Sequence, residues 1–144
     1  MYIDTRDLKE RRDYLKQEIL DSFLETFEHY ADRTETFDDI LFEEEEIQEW
    51  IVDWETELEE IAEINQVEDE VESYGGDGFE FGTTLIKEYD FEEYCEELVR
   101  DYGYLSRDTI TALIENNIDW SGIADDMRQD YSELEYQGKT YLYR

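Results

Sequence analysis

Apolar residues recur at intervals of three, four or seven along the first segment of the chain, from about Asp4 to Tyr30. Residues at these intervals share one stripe of an α-helix. The stripe consists of Leu8, Leu15, Ile19, Phe23, Phe27 and Tyr30. Asp4 or Thr5 can cap the start of such a helix, and Asp7 then lies in its first turn, where a negative charge is favourable. The pattern predicts a long amphipathic helix.

A second apolar stripe runs through the segment from Glu43 to Ser73, with members separated alternately by four and three residues. It includes Ile47, Ile51, Trp54, Leu58 and Ile61. This spacing is typical of a helix that packs lengthwise against another helix. We therefore predict an antiparallel helical hairpin. Its connection, from Asp32 to Phe42, is rich in apolar residues, which favours a short helical turn over a flexible loop.

The glycines of Gly75-Gly76-Asp77-Gly78, followed by Gly82, interrupt the helical pattern. An extended segment is then predicted from Thr83 to Lys87. Three shorter helices are expected, from Asp90 to Tyr102, after Ser106, and from Asp119 to Tyr131. The last segment, Ser132 to Tyr143, alternates apolar and polar residues around Gln137-Gly138, a pattern typical of a β-hairpin.

These elements predict an α+β fold that is mostly α, in which an N-terminal long-helix hairpin is followed by a small helical globule ending in a β-hairpin. Two organisations fit the pattern. In one, residues 1–73 form an acidic helical hairpin, 74–82 a glycine-rich break and 83–144 a C-terminal α+β region; in the other, the chain is one continuous domain.

Negative charge dominates the composition, because 44 Asp and Glu stand against 12 Lys and Arg, a net charge of −32. An aromatic content of 15% excludes a disordered acidic tail. The sign of the charge excludes nucleic acid and anionic membranes as direct partners, since both are bound through clustered Lys and Arg. From Thr34 to Ile86 there are 20 acids and neither Lys nor Arg, which is unusual for a surface that only keeps a protein in solution.

The acids are densest between residues 43 and 72, where 15 carboxylates occupy 30 residues. As a helix this segment would span about 45 Å, or about one charge per 3 Å, close to the value of about 3.4 Å for one DNA strand. The like charges four residues apart disfavour the helix by roughly 0.2–0.5 kcal/mol per pair. We therefore predict a functional polyanionic surface; the alternative is a solvated helix face.

A protein groove lined with Lys and Arg, of the kind that holds duplex DNA, is the expected partner of such a surface. The candidate partner-binding acids are Glu43, Glu44, Glu45, Glu46, Glu49, Asp53, Glu57, Glu60 and Glu63.

Catalysis, a cofactor and a dedicated metal site are not expected. The chain has no Gly-x-Ser-x-Gly, Walker A or Gly-x-Gly-x-x-Gly sequence. Its acids do not follow the EF-hand pattern, and its one histidine, His29, is interpreted as a favourable residue near a helix end. Cys95 cannot form an internal disulfide and lies beside Glu96 and Glu97, so we expect a buried, unreactive thiol.

The start of the chain lacks the basic and apolar regions of a signal peptide, and no apolar run approaches the roughly 18 residues of a membrane span. We expect a soluble protein of the cytoplasm, which would be the bacterial host cytoplasm if the chain is encoded by a phage.

Residues 82–144 contain sequences that resemble the ends of ArdA-type and related phage antirestriction proteins. The resemblance covers about 60 of the 144 residues and does not extend to the N-terminal hairpin. It rests on Asp90-Phe91-Glu92-Glu93-Tyr94, Asn117-Ile118-Asp119-Trp120, Ile123-Ala124, Gln129-Asp130-Tyr131 and Tyr136-Gln137-Gly138-Lys139-Thr140-Tyr141.

The resemblance implies a phage or mobile-element protein, not an enzyme, that mimics duplex DNA and disarms host restriction enzymes, and it also implies a homodimer. The negative charge by itself is equally consistent with inhibition of CRISPR effectors, which also bind nucleic acid. The alternative is an acidic interaction module or an assembly chaperone for a basic protein. Such an adaptor need not share the DNA site of its partner, which distinguishes the two hypotheses.

Overall fold

A computed structural model describes residues 2–73, 78–101 and 116–144 of the chain. The chain forms two compact units. One, here called the hairpin unit, consists of Thr5–Gly82; the other, the sheet unit, combines Met1–Asp4 with Thr83–Arg144. The fold is α+β and mostly α, with a β-hairpin at the C-terminus, as predicted.

The hairpin unit is built on two longer helices, α1 (Thr5–Thr26) and α3 (Glu55–Glu72). A short helix α2 (Gln48–Ile51) precedes α3, and α4 (Gly78–Phe81) follows it. Turns of 3₁₀-helix fill much of the connection, at Glu28–Arg33, Phe37–Asp39, Glu45–Ile47 and Val52–Trp54. The predicted first helix is confirmed, although it ends at Thr26 and continues as 3₁₀-helix to Arg33.

The predicted antiparallel pairing is confirmed by contacts along both helices. Near the end of α1, Ser22 accepts a hydrogen bond from the indole N–H of Trp50 at 3.1 Å. At its start, the Thr5 hydroxyl donates to the carbonyl oxygen of Phe79 at 2.8 Å. The start of α1 therefore lies beside α4, which follows α3, and its last turns lie beside α2, which leads into α3.

The prediction of one helix from Glu43 to Ser73 is wrong in its first third, because a continuous helix begins only at Glu55. The backbone leaves regular α-helix at Ile47 (φ −98°, ψ −4°) and again at Trp54 (φ −109°, ψ 11°). Turns of 3₁₀-helix place residues three apart above one another. This tighter winding allows Ile47, Trp50 and Trp54 to pack against the same core.

Aromatic side chains fill the core of the hairpin unit at the end where the two helices are connected. Trp50 meets the rings of Phe23 and Phe27 edge-on, with centroids 5.5 and 5.8 Å apart, an arrangement that aromatic pairs favour. The buried members are Leu15, Ile19, Leu20, Phe23, Phe27, Tyr30, Ile40, Ile47 and Ile61. Towards the other end of α3, Ile64, Val67 and Val71 are buried.

The connection between α1 and α3 is ordered by a capping box, which confirms the predicted helical turn. The Asp39 carboxylate accepts hydrogen bonds from the backbone N–H groups of Thr36, at 2.9 Å, and Glu35, at 3.0 Å. Because these bonds favour the charged form, they hold the pKa of Asp39 below its usual value. The carboxylate therefore stabilises this turn at neutral pH, and the contribution is lost as the pH falls through the lowered pKa.

The sheet unit contains strands β1 (Tyr2–Asp4), β2 (Thr84–Lys87), β3 (Ser132–Tyr136) and β4 (Lys139–Tyr143). They form an antiparallel sheet in the order β1-β2-β4-β3. The predicted extended segment and C-terminal hairpin are confirmed. β1 was not predicted, since three residues are too few to show alternation.

Two helices of the sheet unit also confirm predictions, α5 (Phe91–Asp101) and α6 (Trp120–Arg128). The Asp119 carboxylate caps α6 by accepting the backbone N–H of Gly122 at 3.0 Å. The helix predicted after Ser106 lies outside the described residues. Both turn residues of the C-terminal hairpin have positive φ, 49° at Gln137 and 73° at Gly138, which is the two-residue turn that matches strand twist.

No helix in the ranges that the structure describes is long and apolar enough to cross a membrane.

Replacing Val67 with Ala tests the α1–α3 core, because the Val67 side chain is 1% exposed. We expect the free energy of unfolding to fall by about 2 kcal/mol, from lost burial plus the cavity left behind. Val52→Ala is the matched control, since Val52 is 64% exposed and its change should stay within about 0.5 kcal/mol. Urea denaturation measures both, and equal losses would contradict the assigned packing.

Candidate partner-binding surface

The excess negative charge is concentrated in the hairpin unit. Residues 5–82 contain 28 Asp and Glu against 6 Lys and Arg, a net charge of −22. The sheet unit contains 16 acids against 6 bases, a net charge of −10. Any surface that works by negative charge is therefore expected on the hairpin unit.

The bases of the hairpin unit are placed on α1, with Arg33 as the exception. Two of them reach across to α3. The Arg11 guanidinium makes a bidentate pair with Glu60, at 2.9 Å from Nε and 3.2 Å from Nη2. Arg12 donates to the side-chain oxygen of Asn65 at 2.8 Å and forms an ion pair with Glu68. These contacts neutralise acids on the side of α3 that turns towards α1.

Arg12 is the most deeply placed of these bases, with 9% of the residue exposed. Its guanidinium also lies over the ring of Phe79, 5.2 Å from the centroid. A buried charge is tolerated only when it is paired and hydrogen-bonded. The Glu68 carboxylate therefore has a structural role as the partner of Arg12 and is not available to another protein.

The outward side of α3 carries exposed acids. Glu55, Glu59 and Glu63 are exposed and four residues apart, so they share one face of the helix. We call these three residues the outer row; it spans about 12 Å at 1.5 Å per residue. Further along α3, Asp69 and Glu70 are also exposed.

The structure lowers the charge density predicted for residues 43–72. Of the 15 carboxylates in this segment, four are half-buried, namely Glu57, Glu60, Glu68 and Glu72. The other 11 are exposed, which gives about one charge per 4 Å if the segment is counted as 45 Å long. This density is still comparable to that of one DNA strand, at about one charge per 3.4 Å.

Seven of the nine candidate acids are exposed and two are half-buried; their contact with a partner stays a prediction. Those exposed are Glu43, Glu44, Glu45, Glu46, Glu49, Asp53 and Glu63. Glu57 and Glu60 are half-buried, and Glu60 is paired with Arg11. Glu57 and Glu60 each lie four residues before a buried isoleucine of α3, Ile61 and Ile64, so they stand at the edge of its buried stripe. Glu55 and Glu59 are exposed and were not among the candidates.

Glu46 is exposed but already has partners within the hairpin unit. Its carboxylate accepts from the Tyr30 hydroxyl at 3.1 Å and lies 3.0 Å from Nε2 of His29. His29 follows the end of α1 and stacks on Tyr30, with ring centroids 4.4 Å apart. This histidine therefore helps to attach the segment before α2 to the end of α1.

Cys95, in the sheet unit, is fully buried in agreement with the prediction. Burial raises the pKa of its thiol to about 11, with a smaller effect from the Glu92 carboxylate. The acidic neighbour that matters is thus Glu92, one helical turn earlier, and not the adjacent Glu96 or Glu97. Within the described residues, no group of three or more His, Cys, Asp and Glu side chains is placed to hold a metal ion.

The chain matches no protein-family model, and no curated protein or solved structure is significantly similar to it. The resemblance of residues 82–144 to antirestriction proteins therefore stays a prediction.

The assignment of inner and outer acids can be tested with two neighbouring substitutions of equal charge. Glu60→Lys removes the pair with Arg11 and places two cations side by side, so we expect the free energy of unfolding to fall by about 1 kcal/mol. Glu59→Lys creates attractions four residues away, with Glu55 and Glu63, and should raise it by roughly 0.3–0.5 kcal/mol. Denaturant unfolding at low salt measures both values. Equal effects would show that the two acids share an environment.

The raised pKa of Cys95 predicts slow chemistry in the folded state, because the thiolate is the reactive form. At pH 8 we expect a disulfide reagent to modify the folded protein at least about a hundredfold more slowly than the urea-unfolded chain. The rate for the folded protein should rise with pH up to about 11. Fast modification at pH 8, without unfolding, would contradict the buried position.

Proposed function

We propose that this protein is a DNA-mimic inhibitor that occupies the DNA-binding groove of a host defence enzyme, with a restriction–modification complex as the first target to test. The observation that carries the proposal is the set of 11 exposed carboxylates between residues 43 and 72, a segment with neither Lys nor Arg. The choice of a restriction–modification complex rests on the resemblance of residues 82–144 to antirestriction proteins. A CRISPR effector is the next target, because its nucleic-acid channel has the same chemistry.

Binding of such a surface follows the physics of DNA binding. A groove lined with Lys and Arg holds a duplex mainly by neutralising its phosphates, and the release of counterions supplies much of the free energy. Carboxylates at a similar linear density would release counterions in the same way. The protein therefore competes for the groove without presenting a base pair.

Rigidity of the acidic surface supports this mechanism. The outer row stands on an 18-residue helix whose opposite side is buried at Ile61, Ile64, Val67 and Val71. Because the backbone that carries these carboxylates is already ordered, binding costs only side-chain entropy, and this favours affinity. An unfolded acidic segment of the same charge would have to be ordered first.

The placement of Arg11 and Arg12 also supports the proposal. Both guanidinium groups are paired with carboxylates of α3, Arg11 with Glu60 and Arg12 with Glu68. This pairing reduces the repulsion that the two arginines would exert on a basic groove.

Reversal of five exposed acids to Lys tests the proposal: Glu49, Asp53, Glu55, Glu59 and Glu63. Each exposed ion pair is worth about 1 kcal/mol or less, so we expect the combined loss of inhibition to exceed about a hundredfold. A single reversal among these five should have little effect. The measurement is a titration of labelled duplex against a purified restriction–modification complex, with the protein as competitor. The affinity of the native chain should fall with salt along a log–log line.

The control is a variant of the sheet unit with the same change in net charge as the variant of the hairpin unit. Five exposed acids there are reversed to Lys: Glu93, Asp125, Asp126, Asp130 and Glu135. We expect this variant to keep its inhibition to within about tenfold, since the general attraction between net charges falls off over a Debye length. If duplex and native protein bind the target together without displacement, an adaptor replaces the mimic. If the protein displaces duplex from neither a restriction–modification complex nor a CRISPR effector, the proposal is wrong.

A further inference from the structure

A hollow of about 310 Å³ opens in the hairpin unit, between the end of α1 and the connection that follows it. Its floor is formed by Phe23, Tyr30 and Ile47, which are buried. One wall is Leu41, which is 56% exposed and is among the most exposed large apolar residues that the structure describes. A second hollow of about 360 Å³ is also lined by Leu41. Leu41 is therefore an exposed apolar residue shared by two hollows.

Carboxylates surround the first hollow, which also contains one base. Asp38, Asp39 and Glu44 line it together with Arg33. Asp39 is committed to the backbone of the capping box. Asp38 has a side chain that is 82% exposed, and it lies 3.9 Å from the amino group of Lys16. Asp38 and Glu44 are therefore the carboxylates that can receive a ligand, and their charge selects a cation.

The aromatic floor already receives a guanidinium within this chain. The Arg33 side chain lies over the ring of Tyr30, with its Cζ 4.9 Å from the ring centroid. This is the distance range of cation–π attraction. The contact shows that a guanidinium can lie over the ring at the edge of this hollow.

An arginine side chain fits the combination of an apolar floor and an acidic rim better than other ligands. Its methylene stem packs on apolar surface while its head group stays at the edge. The planar guanidinium is more weakly hydrated than the ammonium of lysine and pairs with carboxylates through two parallel hydrogen bonds. At about 310 Å³, the hollow is at the small end of ligand sites, a size that suits one side chain.

We propose that this hollow binds an arginine side chain of the protein partner, with the stem against Leu41 and the guanidinium between Asp38 and Glu44. The inference rests on the proposed function and deepens it, because grooves that hold DNA present arginines for phosphates and bases. Arginine anchors seated in a pocket are frequent hot spots of protein interfaces. The outer row then supplies long-range attraction, and the hollow fixes one point of contact.

The first test needs no target protein. The full-length, isotope-labelled protein is titrated with N-acetyl-arginine amide and, separately, with the citrulline analogue, which has nearly the same shape without the charge. We expect saturable shifts of the backbone NMR signals of Leu41, Glu44 and Ile47 with the arginine probe alone. The Leu41→Ser variant should lose at least half of this response, and Val52→Ser, at another exposed apolar position, should keep it.

The second test measures displacement of duplex by single-residue variants. Leu41→Ser and Glu44→Gln should each weaken inhibition about tenfold, the effect of a moderate hot spot. Val52→Ser and Glu93→Gln make the same kinds of substitution outside the hollow and are the controls. They should leave the inhibition unchanged. A lysine probe that binds as tightly as the arginine probe would overturn the choice of arginine.

The two tests separate failure of the hollow from failure of the proposed function. In one outcome, the arginine probe gives no saturable shift and both variants match their controls, while the reversal of five acids still abolishes inhibition. The proposal that the hollow binds arginine is then wrong, and the proposed DNA mimicry stands. If the probe binds but the native protein displaces no duplex, the hollow stands as a guanidinium site and the proposed function is wrong.

Discussion

The pairing of α1 with α3 through Arg11 and Arg12 is the interaction on which the charge distribution depends. A helix as acidic as α3 cannot bury one side against another helix unless the acids at the contact meet cations, because an unpaired buried charge is very costly. Glu60 and Glu68 lie at this contact, and each has an arginine of α1 as its partner. Two adjacent arginines thus make the acidic helix compatible with a helical hairpin.

Segregation of charge follows from this pairing. Arg11 and Arg12 lie at the side of α3 that contacts α1. The outer row, formed by Glu55, Glu59 and Glu63, is exposed. Repulsion along that row costs roughly 0.2–0.5 kcal/mol per pair four residues apart. Burial of large aromatic side chains such as Phe23 offsets this cost, at about 1.5–3 kcal/mol for each fully buried residue. The hairpin unit is therefore held by its core and can keep an unbalanced surface.

Sequence periodicity predicted α1, its antiparallel partner and the C-terminal β-hairpin, because each has a long apolar stripe or a clear alternation. It could not predict the break at Trp54, since the apolar spacing continues through it and the change is in backbone winding. The half-buried positions of Glu57 and Glu60 instead follow from their place beside the buried stripe of α3, at Ile61 and Ile64. The hollow beside Leu41 could not be predicted from the sequence either, because residues from separate parts of the chain form it.

Charge on a rigid helix can explain attraction to a basic groove but not the choice among grooves. Counterion release depends on how many cations are neutralised and hardly on how they are arranged, so one acidic row suits many DNA-binding proteins. Discrimination requires contacts that depend on shape, or that penalise the wrong partner. In the hairpin unit, the connection between α1 and α3 offers such contacts, since it combines an exposed apolar residue, Leu41, with carboxylates in fixed places. Under the proposed function, we therefore expect partner choice to depend on this connection, and binding strength on the number of exposed carboxylates between residues 43 and 72.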